Sequence, residues 1–143
     1  MVDDLQKRNR QDYGYSLIFT YEQLNLLPFV RSIVNTYLIE QCGLIPNESP
    51  LIGLVVSSYC QFFAPVGFPE VLDLGLRVNK LGSSSVTYEV GVFSRGEDQP
   101  AAVGGYTHVF VGSESRKSTP MATGMREGLS KLLAPSLKPT AKL

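Results

Sequence analysis

The sequence predicts an α+β domain in which a curved antiparallel sheet of about five strands is wrapped round a long central helix, with a short helix near the C-terminus. Three observations carry this. Strand-like alternation begins at Tyr13, an apolar stripe at helical spacing follows over residues 29–42, and four long β-rich segments take up most of residues 51–111. A helix that apolar needs a cover, and the only partner large enough is the sheet, which must curl round it. Sheet edges and the uncovered sheet face then favour a dimer.

Each element has its own local reason. In the first strand Tyr13, Tyr15, Leu17, Phe19 and Tyr21 alternate with Gly14, Ser16, Ile18 and Thr20, the period of an extended chain. Phe29, Val30, Ile33, Val34, Tyr37, Leu38 and Cys42 then recur at helical spacing, one apolar stripe over about four turns. Pro28 suits the first turn, where its missing N–H costs nothing, and Gly43 suits the position just past the end. The apolar run from Leu51 to Phe63 reads as a strand buried on both faces. After the Pro/Gly cluster of residues 64–69, Leu72, Leu74, Leu76 and Val78 share one face of a strand over residues 71–81. Val86, Tyr88, Val90 and Val92 share one face of the next, and Ala101 to Val111 closes a meander. A final helix is expected over Thr123 to Leu133, with Thr123 as N-cap. The division is a flexible lead-in at 1–12, one domain at 13–134 and a proline-punctuated tail at 135–143.

Composition narrows the function. The 143 residues suit one domain, and 43% apolar with 10% aromatic is ordinary globular usage. Thirteen cations balance thirteen carboxylates, which argues against nucleic acid, whose binding needs excess positive charge. No stretch approaches the ~20 apolar residues of a membrane span, and the charged, polar residues 1–10 lack the apolar core of a signal peptide. Cys42 and Cys60 cannot make a disulfide framework, and His108, the one histidine, cannot build an ordinary zinc site without both of them. No metal is expected.

The segment 49–121 resembles the hotdog-fold acyl-CoA thioesterases of the 4-hydroxybenzoyl-CoA thioesterase type. The carrying stretches are SSYCQFFAPVGFPEVLDLGLRVNKLGSSSVTYEV (57–90) and AVGGYTHVFVGSESRKSTPM (102–121), with SIVNTYLIEQCGL (32–44) as the central helix. They contain the family's aromatic-x-x-Pro turn, its V-x-x-[LI]-G-x-[ST]-S hairpin and its R-[KR]-[SP]-x-P segment. The resemblance implies a homodimer or homotetramer, acyl-CoA substrates, no cofactor, and hydrolysis to a carboxylic acid and coenzyme A. It also implies a carboxylate, in the loop before the central helix, that activates water or attacks the thioester. Backbone N–H groups at the helix N-terminus polarise the carbonyl, as the dipole and unpaired donors there allow.

This chain departs from the family at that loop. Where a D-x-D-x-x-x-H-x-N-N pattern is expected, residues 22–30 read EQLNLLPFV. No Asp lies between Asp12 and Asp73, and no His precedes His108. The family's catalytic signature is therefore missing, which leaves two readings: a thioesterase weakened or inactive in this form, or a non-catalytic dimer that binds acyl-CoA or serves as an assembly partner. Glu22 is the one acid in the segment, either a substitute base or a solvated carboxylate. Glu40 lies on the central helix, at an active site's far end or on a polar edge. His108 shares a strand face with Tyr106 and Phe110, as a base or as a packed histidine. Cys42 and Cys60 read as core thiols.

Six cations face one carboxylate over residues 115–143. By the resemblance, Arg116 and Lys117, with Lys80, Ser83 and Ser84 of the facing hairpin, lie where the family holds the phosphates of coenzyme A, a ligand suited to Arg and Lys. The last three residues, Ala141, Lys142 and Leu143, resemble the tripeptide read by the peroxisomal import receptor. A peroxisomal location is the expectation, with cytoplasm or mitochondrion as the alternative.

Overall fold

The computed structural model describes residues 2–21, 27–42, 51–64, 70–112, 114–121 and 123–133. Two 3-10 turns, Val2–Lys7 and Arg10–Asp12, lead into strand β1 (Tyr15–Tyr21) and helix α1 (Leu27–Gln41). Strands β2 (Leu51–Phe62), β3 (Glu70–Leu81), β4 (Ser85–Ser94) and β5 (Ala102–Gly112) follow, then helix α2 (Thr123–Ser130). The five strands form one antiparallel sheet in the order β1-β3-β4-β5-β2. Only β3, β4 and β5 form the expected meander. β2 crosses to the far side of β5 and becomes an edge.

The inner face is made by period-two alternation. Leu72, Leu74, Leu76 and Val78 of β3 and Tyr88 and Val90 of β4 have no exposed surface, and Val86 and Val92 have 1%. Ile33, Val34, Tyr37 and Leu38 of α1 pack into the same core, with Met121, Met125, Leu129 and Leu132 from the C-terminal segment. The helical spacing of the stripe is thus the reason α1 lies on the sheet. The helical part is shorter than one long central helix: α1 has 15 residues and α2 has eight. Thr123 is the first residue of α2 rather than its cap, and the helix stops at Ser130, short of the expected Leu133.

The expectation for β2 is corrected. Far from being buried on both faces, residues 53–60 are exposed, with Val56 and Phe62 each 60% open. One side of this strand pairs with β5 and the other pairs with nothing among the described residues.

Residues 2–12, expected as a flexible lead-in, are laid on the outer face of the sheet. Leu5 and Tyr13 are buried there. Gly75 and Gly91 are direct cross-strand neighbours, and the Tyr13 ring sits over both. A Cβ on Gly91 would come within 2.6 Å of that ring, and one on Gly75 within 2.7 Å. The Tyr13 hydroxyl donates to Glu89 Oε2 at 2.7 Å. Glu89 is fully buried and also accepts from Arg8 Nε at 2.7 Å, Arg8 Nη2 at 3.1 Å and Asn79 Nδ2 at 2.9 Å. Burial alone would raise the Glu89 carboxyl, but the bonds from Arg8, Asn79 and Tyr13 outweigh it and hold it below its ordinary range. Asn79 is the extra residue of a bulge in β3 and accepts from Arg77 Nε at 2.7 Å. A second clamp joins Arg10 to Asp73 at 2.6 Å, with the guanidinium 5.0 Å from the Phe93 ring centroid.

Candidate functional site

The inner face is aliphatic where α1 covers it and polar toward β2. Register places Ser58, Tyr106 and Tyr88 in one cross-strand row and Val55, His108 and Val86 in the next. The Tyr106 and His108 rings are 4.8 Å apart, Tyr88 and Tyr106 are 5.3 Å apart, and Tyr88 and His108 are 5.5 Å apart, the latter edge-on. His108 also meets the Phe110 ring at 5.8 Å and is only 8% exposed. Gly53 makes room for it: a Cβ there would stand 3.2 Å from the imidazole. The Tyr88 hydroxyl is buried with no hydrogen-bond partner among the described residues, and burial raises its pKa well above the ordinary value. Tyr88 and Tyr106 were legible as inward-facing positions, but nothing in the sequence marked them as a polar cluster beside a free edge.

Among residues whose side chains are described, no carboxylate lies on this inner face. Asp73 and Glu89 are on the outer face, engaged with Arg10 and Arg8. Asp12 caps Asn9, Glu97 and Asp98 lie in the β4–β5 turn, and Glu114 and Glu127 are exposed. Glu40 is exposed on α1 and accepts from the Tyr15 hydroxyl at 3.0 Å. Glu22 lies outside the described residues. Neither thiol is activated: burial pushes Cys42 up to about 11 and raises Cys60 as well. Among the described residues no group of three or more His, Cys, Asp or Glu could hold a metal ion, and no helix is long and apolar enough to cross a membrane.

The hairpin and the segment after β5 come together at one end of the sheet. Ser84 Oγ and Ser118 Oγ are 2.8 Å apart, Met121 N donates to Ser83 O at 2.9 Å, and Phe110 N donates to Ser84 O at 2.7 Å. Arg126 of α2 donates to the Gly82 carbonyl. Lys80, Arg116 and Lys117 are exposed. Arg116 has φ 59°, a left-handed conformation that costs an L-residue free energy. Ala141, Lys142 and Leu143 lie outside the described residues.

Comparison with known proteins gives the family. The family described as "Thioesterase superfamily" matches residues 33–101. The PA5185 protein of Pseudomonas aeruginosa is 36% identical, with a TM-score of 0.85 over 89% of this chain and 96% of that one. The chain belongs to the thioesterase superfamily. A thioesterase-superfamily protein from Jannaschia (15% identity, TM-score 0.72, 82% of each chain) shares the fold. So does a 1,4-dihydroxy-2-naphthoyl-CoA thioesterase from Synechocystis (14% identity, TM-score 0.71, 84% of this chain and 96% of that one). Among curated proteins none matches. The family match begins at Ile33, inside α1, so the segment before the helix lies outside it.

Proposed function

We propose that this chain is an acyl-CoA thioester hydrolase of the hotdog type, related to the 4-hydroxybenzoyl-CoA thioesterases, and that its hydrolytic step is weak in the present form. The observation that carries the reading is an inner face of thioesterase-superfamily build on which no described carboxylate stands. Water attack on a thioester carbonyl needs a proton acceptor beside the water and donors for the oxyanion. The N-terminal turn of a helix such as α1 carries N–H donors without intrahelical partners, of the kind that stabilise an oxyanion. No described carboxylate on the inner face supplies the base.

The working unit of this proposal is a homodimer. An apolar, 12-residue edge strand with Leu54, Val55, Val56, Tyr59 and Phe62 all exposed is a template for another strand. A second copy pairing along β2 would continue the sheet and cover those side chains. The nucleotide end of coenzyme A is assigned to Lys80, Ser83, Ser84, Arg116 and Lys117. The joining of the hairpin to the segment 114–121 through Ser83, Ser84, Ser118 and Met121 supports this, since the exposed Arg116 and Lys117 belong to that segment.

A second reading, a non-catalytic dimer that binds acyl-CoA, is favoured by the same missing carboxylate. Hydrolysis measured as thiol release from an acyl-CoA panel separates the two. The proposal expects slow release, rising by roughly 10²–10⁴-fold when an Asp-containing loop is restored before Arg31. Turnover at ordinary enzyme rates by the present chain would mean another base is at work. Binding without any gain from the restored loop would favour the non-catalytic reading.

A further inference from the structure

The outer face of the sheet carries a charged network that the thioesterase reading does not use. Its centre is Glu89, a fully buried carboxylate whose donors come from three directions: Arg8 and Tyr13 from the N-terminal segment, and Asn79 from β3. Arg77 closes the network from β3, bonded to Asn79 at 2.7 Å and directed at the Asp12 carbonyl at 3.5 Å. The fourth side is β2. Register aligns Tyr59 of β2, Gly105 of β5 and Glu89 of β4 in one cross-strand row. Gly105 has no side chain to separate the other two. A Cβ there would lie 3.1 Å from the Tyr59 Cε1 and hydroxyl, so the Tyr59 ring lies across Gly105 toward Glu89.

We propose that residues 5–13 are a strap that sets the conformation of the β2 edge, acting through Glu89 and Tyr59, and thereby controls self-association along that edge. The self-association part rests on the dimer reading above. Arg8 and Tyr13 are positioning residues: they touch neither the inner face nor the free side of β2. Their grip fixes the Glu89 carboxylate, and the carboxylate fixes the field and the space in which the Tyr59 phenol sits. Burial, then the Glu89 charge, raises the Tyr59 hydroxyl to about 12, while Arg8 and Arg77 work against that rise. Tyr59 shares its cross-strand row with Glu89, which Arg8 and Tyr13 hold, so the strap reaches it through that carboxylate although no strap residue lies in its row. With the strap released, Glu89 loses three of its four donor bonds and would draw in water or the Tyr59 hydroxyl. Either change alters the outer side of an edge strand that already carries a bulge between Val55 and Ser57.

The test uses the full chain and two variants. Arg8→Glu sets a carboxylate against Glu89 and forces the strap off, and Glu89→Gln removes the charge that holds it. Three readouts are taken: amide exchange along the chain, the chemical shift and titration of ¹³C-labelled Tyr59, and sedimentation equilibrium. The expected result is faster exchange at residues 5–13 and at 57–61, a shifted Tyr59 titration, and self-association weakened by roughly tenfold, with α1 and β3 unchanged. Released strap amides with unchanged β2 exchange and an unchanged Tyr59 titration would overturn the proposal. Loss of protection in every strand would also overturn it, because the segment would then be integral to the core. If the wild-type chain sediments as a monomer at high micromolar concentration, the dimer reading fails separately, and the exchange and Tyr59 signals still decide the coupling.

Discussion

Replacing Gly91 with alanine isolates the contact on which the outer face depends. The added methyl has nowhere to go. It would stand 2.6 Å from Tyr13 Cζ and 2.7 Å from Cε2 and the hydroxyl oxygen, well inside ordinary contact distance, and Gly91 itself is buried between β3 and β5. The ring must lift. Overpacking of this kind costs about 1–3 kcal/mol. Lifting also stretches the 2.7 Å bond from the Tyr13 hydroxyl to Glu89, a charge-assisted bond worth ~1.5–3 kcal/mol when lost outright. Because Arg8 and Asn79 still hold the carboxylate, only part of the second quantity is forfeited. The expected loss is about 2–4 kcal/mol, or roughly 7–13 °C in Tm for a domain of this size. Urea denaturation gives the free energy, and the Tyr13→Ala background gives its origin. In that background the ring is gone, so the Gly91 substitution should cost under about 1 kcal/mol. An equal cost in both backgrounds would show that the methyl strains the sheet itself, and the slot for Tyr13 would not be the reason for the glycine.

Other outcomes follow from the same geometry. Acid should release the outer-face network. The Glu89 carboxyl is depressed from its ordinary value of 4.5, so its contribution is complete above that pH and is lost as pH falls through the folded-state value, where Arg8, Tyr13 and Asn79 no longer face a charge, nor do the nearby Arg77 and Tyr59. Glu89→Gln should flatten the acid limb of the stability profile, and an unchanged limb would place the acid transition elsewhere. Arg116→Gly should relieve the left-handed backbone and stabilise the chain by about 1 kcal/mol while weakening coenzyme A binding. Replacing Arg116 and Lys117 together with alanine should weaken coenzyme A but leave pantetheine, which lacks the nucleotide phosphates, nearly untouched. Equal losses in calorimetry would remove both cations from the site. Val56→Lys with Phe62→Lys should hold the chain as a monomer of 15.7 kDa in light scattering, and a persisting dimer would move the interface away from β2.

Patterns that depend on a residue's own neighbours were legible in the sequence. The alternation over residues 71–94 and the stripe from Ile33 to Leu38 follow from period-two and helical geometry, and those side chains are the ones the core buries. The strand order was not legible, because residues 51–63 are equally apolar whether they sit at the centre of a sheet or at an edge awaiting a partner. The outer-face network was hidden for a different reason. Glu89 lies at an outward position in a strand, where a carboxylate is ordinarily solvated. Its burial depends on Arg8, which is 81 residues away, and on two glycines whose role appears only when Tyr13 is laid across them. The residues assigned to the phosphates of coenzyme A came from resemblance, and what the structure adds to them is proximity between the hairpin and the segment after β5.

The described packing and the proposed chemistry rest on different residues, and that bears on what an acidic loop before α1 would change. The inner core is closed by β3, β4 and β5 with Ile33 to Leu38 of α1 and the C-terminal Met125, Leu129 and Leu132. All of these described residues follow segment 22–30 in the chain. The outer face is closed by residues 5–13, which precede that segment and grip β3 and β4 through Glu89 and Asp73. A change confined to the turn between β1 and α1 therefore leaves these described contacts in place. A carboxylate beside a helix N-terminus is a group whose burial near a substrate costs stability and whose value is catalytic. Restoring an acidic loop should accordingly raise hydrolysis without raising stability. If that chain became markedly more stable instead, the loop would be part of the packing, and any gain in hydrolysis would be a folding effect rather than the supply of a base.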